Sequence, residues 1–237
     1  MGNTAVKCAV VEQGRVVQTL RSDGDPEPLL ERMLTLCPGV DDSIVVSTRE
    51  GADRVCRWLE VRVGRCLQLG PETPTPIVNR YATPATLGYD RLAGAVGAAM
   101  RFPGCTTLVV DLGTAITFDV VTAQGEFLGG NISPGAAMRL RALHDHTDSL
   151  PLVSLGDPPG MIGSSTEGAI LAGVVGGIVH ETEGYVARLE QMYGQLKIIF
   201  TGGDADFFVK RLNFPIFVSY NLVLEGLNAI LEYNNAR

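Results

Sequence analysis

The sequence predicts an α/β protein built from two similar domains. Three observations carry that expectation: an internal repeat, a regular alternation of strand-like and helix-like segments, and a composition rich enough in apolar residues to build a core. Residues 2–14 align without a gap on residues 113–125, at an offset of 111. Gly2/Gly113, Val10/Val121, Gln13/Gln124 and Gly14/Gly125 are identical. Both stretches read as a Gly-led turn, a β-rich strand, a Gln-Gly turn and a returning strand. A period this long is not a solenoid; it points to two similar domains facing each other.

The elements follow in order. Pro26 to Leu36 reads as a helix, Ser43 to Ser47 as an apolar strand, and Ala52 to Val61 as a second helix. Pro71, Pro74, Pro76 and Pro84 mark an extended loop, because proline fixes φ and disfavours helix before it. Tyr89 to Arg101 is a helix of small residues. Ser133-Pro134 predicts another helix start, with Ser as N-cap and Pro in the first turn. Ser164 to Glu167 has the capping-box pattern and opens a long helix to about Tyr193. Gln195 to Thr201 and Ile216 to Val218 read as strands, and Leu222 to Tyr233 as a closing amphipathic helix. The boundary falls near Gly104.

Composition excludes several classes. Of 237 residues, 46% are hydrophobic and 19% charged, which excludes a disordered chain. The net charge of −7 argues against a nucleic-acid surface, which needs a basic stripe. The longest apolar run, Gly168 to Val179, has 12 residues and falls short of the roughly 20 a membrane helix needs. The start lacks a signal-peptide pattern. Five cysteines without a C-x-x-C pair are expected to be reduced, buried thiols of a cytoplasmic protein.

The chemistry concentrates in a few motifs. Asp111-Leu112-Gly113-Thr114-Ala115 ends a buried strand. Its Gly allows main-chain N–H groups to approach an anion, Thr114 adds a hydroxyl, and Asp111 can hold a cation beside phosphates. Gly2-Asn3-Thr4 offers the same cradle in the first domain, with Lys7 as a charge partner. Two ordinary hairpins with polar turns remain the alternative. Gly88-Tyr89-Asp90-Arg91 opens a helix after the Pro-rich loop. Asp90 there reads as a general base on a substrate hydroxyl and Arg91 as an anion binder, or Asp90 simply complements the helix dipole. Thr201-Gly202-Gly203 is a strand-ending turn that could pass a flat base across bare backbone, or bind nothing. His144-Asp145-His146 does not place two ligands on one helix face and reads as a surface loop. His180 and Cys8 read as structural.

The first copy of the repeat lacks what the second has. The residue matching Asp111 would fall just before Met1, in an Asp-x-Gly-Asn-Thr pattern. The repeat therefore leads us to expect a missing first strand and carboxylate, as from a start assigned too late or a shortened chain.

Taken together, Gly2-Asn3-Thr4, Gly88 to Arg91, Asp111 to Thr117, Gly129-Gly130-Asn131-Ile132-Ser133-Pro134-Gly135 and Thr201-Gly202-Gly203 resemble the type III pantothenate kinase family over essentially the whole chain. The resemblance implies two ribonuclease H-like domains of the actin-like ATPase fold, mixed sheets flanked by helices, at residues 1–104 and 105–237. It implies ATP-dependent phosphorylation of the pantothenate primary hydroxyl, the first step of coenzyme A biosynthesis. By motif, Asp90 matches the base. Tyr81, Gly88, Tyr89, Asp90, Arg91 and Thr166 match the pantothenate site. Gly2, Asn3, Thr4, Lys7, Gly113, Thr114, Gly202 and Gly203 match ATP contacts, and Asp111 matches the ligand of a monovalent cation, K+ or NH4+. Mg2+ with ATP and a homodimer are further implications. The alternatives are a nucleotide-binding accessory or regulatory protein of the same fold and a kinase for another small alcohol.

Overall fold

The structure is a computed structural model that describes residues 1–237 except Asn3, Thr4 and Arg49. The expectations for Asn3 and Thr4 lie outside the described residues. In chain order the elements are β1 (Val6–Glu12), β2 (Arg15–Ser22), α1 (Pro26–Leu36), β3 (Asp42–Val45), α2 (Ala52–Val63), β4 (Arg65–Gln68) and β5 (Val78–Asn79). A 3-10 turn (Pro84–Thr86) leads into α3 (Tyr89–Arg101), β6 (Thr107–Leu112), β7 (Ala115–Val121) and β8 (Glu126–Pro134). The chain finishes with α4 (Ala136–Asp145), α5 (Thr166–Tyr193), β9 (Lys197–Thr201), α6 (Ala205–Val209), β10 (Phe217–Val218) and α7 (Leu222–Asn235).

Two compact units emerge. The first comprises Met1–Thr107, Asp119–Gly129 and Asn221–Arg237; the second comprises Leu108–Phe118 and Gly130–Tyr220. A six-stranded sheet has the order β10-β9-β6-β7-β8-β5, while β1-β2 and β3-β4 form separate ladders. The β10-β9 and β5-β8 pairs are parallel. Strand β6 lies inside the sheet, and its Leu108, Val109, Val110 and Leu112 are all buried. A continuous apolar run is what a strand covered on both faces requires.

The repeat is visible in the backbone. Gly14 follows β1 with φ +74°, and Gly125 follows β7 with φ +74°. Each ends a tight connection in the left-handed region, where glycine is cheapest. Strand β2, shifted by the offset of 111, falls on β8 almost residue for residue.

In the first unit, α2 packs its Val55 and Leu59 on Val45 of β3, with Met1, Leu30 and Trp58 around them. Met1 joins this layer through its main chain. Its amino group donates to the Val46 oxygen, and the Thr48 N–H donates to its carbonyl at 3.0 Å. Helix α3 is made of small residues because it lies against α7 at backbone distance. A Cβ on Gly97 would strike the Leu222 carbonyl, and one on Gly226 would strike the Ala93 carbonyl. That contact fixes the helix whose first turn carries Asp90 and Arg91.

In the second unit, α5 buries Ile170, Val174, Ile178, Thr182 and Val186, a four-residue rhythm that keeps one stripe inside. Ser165 caps it, its Oγ accepting from the Gly168 N–H at 3.1 Å. The expected Ser164–Glu167 box is thus corrected by one residue: the chain turns helical only at Thr166.

Two other expectations are overturned. Ser133 and Pro134 do not open a helix; they end β8, and α4 begins at Ala136 with Gly135 as N-cap. The Gly135 N–H donates to the Thr114 carbonyl at 3.1 Å, so the strand is held extended one residue further. The thiols are not all reduced either. Cys56 of α2 and Cys66 of β4 form a disulfide with their Cα atoms 5.5 Å apart, while Cys8, Cys37 and Cys105 are free. Spacing along the sequence gave no hint of this, because the pair is created by the hairpin-like return from α2 into β4. Among the described residues, no helix is long and apolar enough to cross a membrane.

Candidate functional site

Within the first unit, the Gly88 to Arg91 segment is the start of α3, as its sequence predicts. Gly88 is the N-cap, and Asp90 lies in the first turn. The Asp90 Oδ1 accepts from the Arg91 N–H at 3.0 Å, which holds the half-buried carboxylate at the helix start. A Cβ on Gly88 would come within 2.8 Å of that oxygen, so residue 88 must be small for Asp90 to keep this position. The Tyr89 hydroxyl donates to the Pro84 carbonyl at 3.0 Å. Burial, and then the charge of Glu72, push its pKa up.

Arg91 is buried, and its guanidinium meets Asp119 of β7 edge-on. Nε lies 3.0 and 3.1 Å from the two carboxylate oxygens, and Nη2 lies 2.6 Å from Oδ1. Burial alone would lower the Arg91 pKa; hydrogen bonding to and the charge of Asp119, with a further hydrogen bond to Tyr81, outweigh burial, and the net direction is up. Tyr81 covers the guanidinium with its ring centroid 5.5 Å away. Phe127 of β8 stacks behind Tyr81 at 6.3 Å and 22°. Gly129, at φ +91°, lets the ring lie there, since a Cβ would come within 2.7 Å of it. The structure therefore brings Tyr81, Gly88, Tyr89, Asp90 and Arg91 together. It adds Asp119 and Phe127, which the motifs did not single out, and gives a place to Gly129, the first residue of the Gly129 to Gly135 motif. The one signal for Asp119 in the sequence is an acid inside an apolar strand, Ile116-Thr117-Phe118-Asp119-Val120-Val121, where burial demands a partner.

The second unit holds the other group. Asp111 is the penultimate residue of β6, Gly113 and Thr114 form the turn, and β7 follows. Gly113 N–H donates to the Ala115 carbonyl at 3.1 Å, closing the turn. Two glycines frame it. Gly135 lies against the Gly113 and Thr114 carbonyls, where a Cβ would fall within 2.6 Å of the Thr114 oxygen. Gly202, at φ +94°, lies against Leu112, and a Cβ there would be 2.5 Å from Asp111 Oδ1. The Asp204 N–H donates to the Leu112 carbonyl at 3.0 Å, and burial raises the Asp204 pKa. Asp111, Gly113, Thr114, Gly202 and Gly203 thus gather around one turn. Thr166 is exposed at the start of α5. Gly2 and the exposed Lys7 belong to the first unit, Lys7 standing opposite Arg21 in the β1-β2 ladder.

A match to the family model for type III pantothenate kinase covers residues 1–188. The chain belongs to the type III pantothenate kinase family. A protein of that name from Phocaeicola vulgatus is 40% identical over 235 residues, covering 99% of this chain and 97% of the relative. Another from Bacteroides fragilis is 42% identical over 240 residues, covering 100% of this chain and 97% of the relative. Among solved structures, a ROK family glucokinase from Streptomyces griseus in complex with glucose and AMPPNP superposes with a TM-score of 0.51 at 13% identity, over 98% of this chain and 96% of that one. A Baf family protein from Campylobacter jejuni reaches 0.63 at 20% identity, over 100% and 97%. These two likenesses concern the fold alone.

Proposed function

We propose that the protein phosphorylates the primary hydroxyl of pantothenate with ATP, giving 4′-phosphopantothenate, the first step toward coenzyme A. The single observation that carries this reading is the Asp90–Arg91 pair at the start of α3, in a chain matched along its length by proteins named for that reaction.

Asp90 takes the proton from the attacking hydroxyl as the oxygen forms its bond to the γ-phosphorus and ADP leaves. A positioned carboxylate contributes on the order of 10²–10⁴-fold in such steps. Arg91 binds the pantothenate carboxylate, with Tyr81, Gly88 and Tyr89 beside it in the first unit. Gly113 and Thr114 receive the phosphates on their turn, which Gly135 and Gly202 hold by close main-chain packing that a side chain at either position would break. Gly202 and Gly203 pass the nucleotide base, and Gly2 and Lys7 are further ATP contacts on this reading. Phosphoryl transfer asks the protein chiefly for positioning and charge stabilisation.

A monovalent cation, K+ or NH4+, fits the donor chemistry at Asp111. A single carboxylate at a strand end amid main-chain carbonyls offers hard oxygen donors. Among the described residues no cluster of three or more His, Cys, Asp or Glu competes as a metal site. Mg2+ would arrive with ATP; both ions supply positive charge beside the phosphates. The protein acts in the cytoplasm and as a homodimer on this reading.

The test is ADP release in a coupled assay with ATP and Mg2+, with pantothenate and K+ each added or omitted. Turnover that needs both supports the proposal. ATP binding without pantothenate-dependent turnover overturns it in favour of an accessory role.

A further inference from the structure

We infer that Asp119 is the positioning residue of the acceptor site: it holds the Arg91 guanidinium by one edge, so that the hydrogens left over are presented for a carboxylate on the substrate. This rests on the pantothenate reading above and deepens it.

The argument starts from burial. Asp119 is 1% exposed and stands on β7 between buried Phe118 and Val120. A lone carboxylate is very costly there, so its partner must be charged and well aligned. Arg91 meets that need with Nε and one Nη2 hydrogen, at 2.6–3.1 Å. A guanidinium carries five N–H donors in a fixed plane. Asp119 takes the Nε hydrogen and one on Nη2, and the Tyr81 side chain takes a further hydrogen bond, which leaves the remaining guanidinium hydrogens as the place for a second carboxylate. A lysine could not serve two carboxylates in one plane.

Tyr81 fixes the plane itself. Its ring lies on the guanidinium and is backed by Phe127, with Gly129 making the room. The stack Phe127–Tyr81–Arg91–Asp119 therefore sets position, plane and rotation of a side chain that would otherwise sample many rotamers. Preorganisation of this kind shows up as affinity for the group being bound, rather than as a change in the chemical step. Asp119 touches neither reacting atom in this account; it acts through Arg91.

The experiment compares wild type, Asp119→Asn and Asp119→Glu in steady-state kinetics, with melting temperatures recorded for each. Asp119→Asn keeps the shape and loses the charge, while Asp119→Glu keeps the charge and pushes the guanidinium away. In both, the KM for pantothenate is expected to rise about tenfold or more, with the KM for ATP and kcat within about threefold of wild type. In an Arg91→Gln background, Asp119→Asn should add nothing further to the pantothenate KM, because the path runs through Arg91. An unchanged pantothenate KM in either folded variant overturns the inference, as do multiplying effects in the double variant. Failure of both variants to fold would assign Asp119 to structure alone and equally overturn it. A wild-type protein that does not turn over pantothenate removes the functional reading and this inference with it; a competent wild type with unmoved variants removes the inference only.

Discussion

The carbonyl oxygen of Ala93 in α3 occupies the space that a Cβ on Gly226 of α7 would need. The two helices meet at main-chain contact, and Gly97 meets Leu222 the same way one turn along. Because α3 begins at Tyr89, this crossing sets where Asp90 and Arg91 stand. Replacement of Gly226 by Ala should therefore spread α3 from α7. The expected loss is about 1–3 kcal/mol of unfolding free energy from overpacking, measured by urea titration. An unchanged midpoint would show that the helices separate freely and do not fix the site.

Gly135→Ala should act on the nucleotide side. Its new Cβ runs into the Gly113 and Thr114 carbonyls and displaces the turn between β6 and β7. A displacement of about 1 Å can cost on the order of 10²-fold in a positioned reaction. The KM for ATP should rise at least about tenfold, while the affinity for pantothenate, measured by calorimetry without nucleotide, stays as in wild type. Equal losses of both would mean the variant is globally unfolded or the turn has another role.

The Cys56–Cys66 disulfide closes a short loop, at a sequence separation of 10. Chain-entropy reasoning gives about 2–3 kcal/mol for a loop of this size. Reduction with dithiothreitol, or the double Cys→Ser variant, should lower the unfolding free energy by that order. Identical denaturation curves with and without reductant, together with quantitative labelling of all five thiols in the native protein, would refute the bond.

Burial pushes the Cys8 thiol up to about 11, with the Leu20 main-chain hydrogen bond pulling the other way. The folded state thus keeps its proton where the unfolded chain, at about 9, loses it. Folded-state stability from this group is intact below pH 9 and falls as pH rises from 9 toward 11. Alkylation of native protein at pH 8.5 should leave Cys8 unmodified after Cys37 and Cys105 have reacted, as read by peptide mass spectrometry. Early modification of Cys8 would contradict the burial.

Much of this was legible before any coordinates. Helix α1 covers Pro26–Leu36, the span read as a helix from the sequence. The Gly125 turn was readable because only a few residue types enter the left-handed region cheaply, and Gly14 repeats it. What escaped the sequence was set by contacts distant along the chain. Ser133-Pro134 carries a good local helix-start signal, but the Thr114 carbonyl claims the Gly135 N–H and prolongs the strand. Cys56 and Cys66 are paired by the α2–β4 return, which no spacing rule encodes. In the candidate site, Asp90 and Arg91 were marked by their motif. Asp119 and Phe127 were not, since their roles exist only through Arg91 and Tyr81.

The most direct test of the account is 31P NMR of reaction mixtures holding ATP, Mg2+, K+ and pantothenate, with wild type and Asp90→Asn compared at equal folded concentration. The account predicts a phosphomonoester signal growing with wild type and slowed on the order of 10²–10⁴-fold in the variant, whose melting temperature stays close to wild type. A variant that makes the phosphomonoester at the wild-type rate would contradict the role of Asp90. The absence of that signal with wild type would contradict the reaction itself.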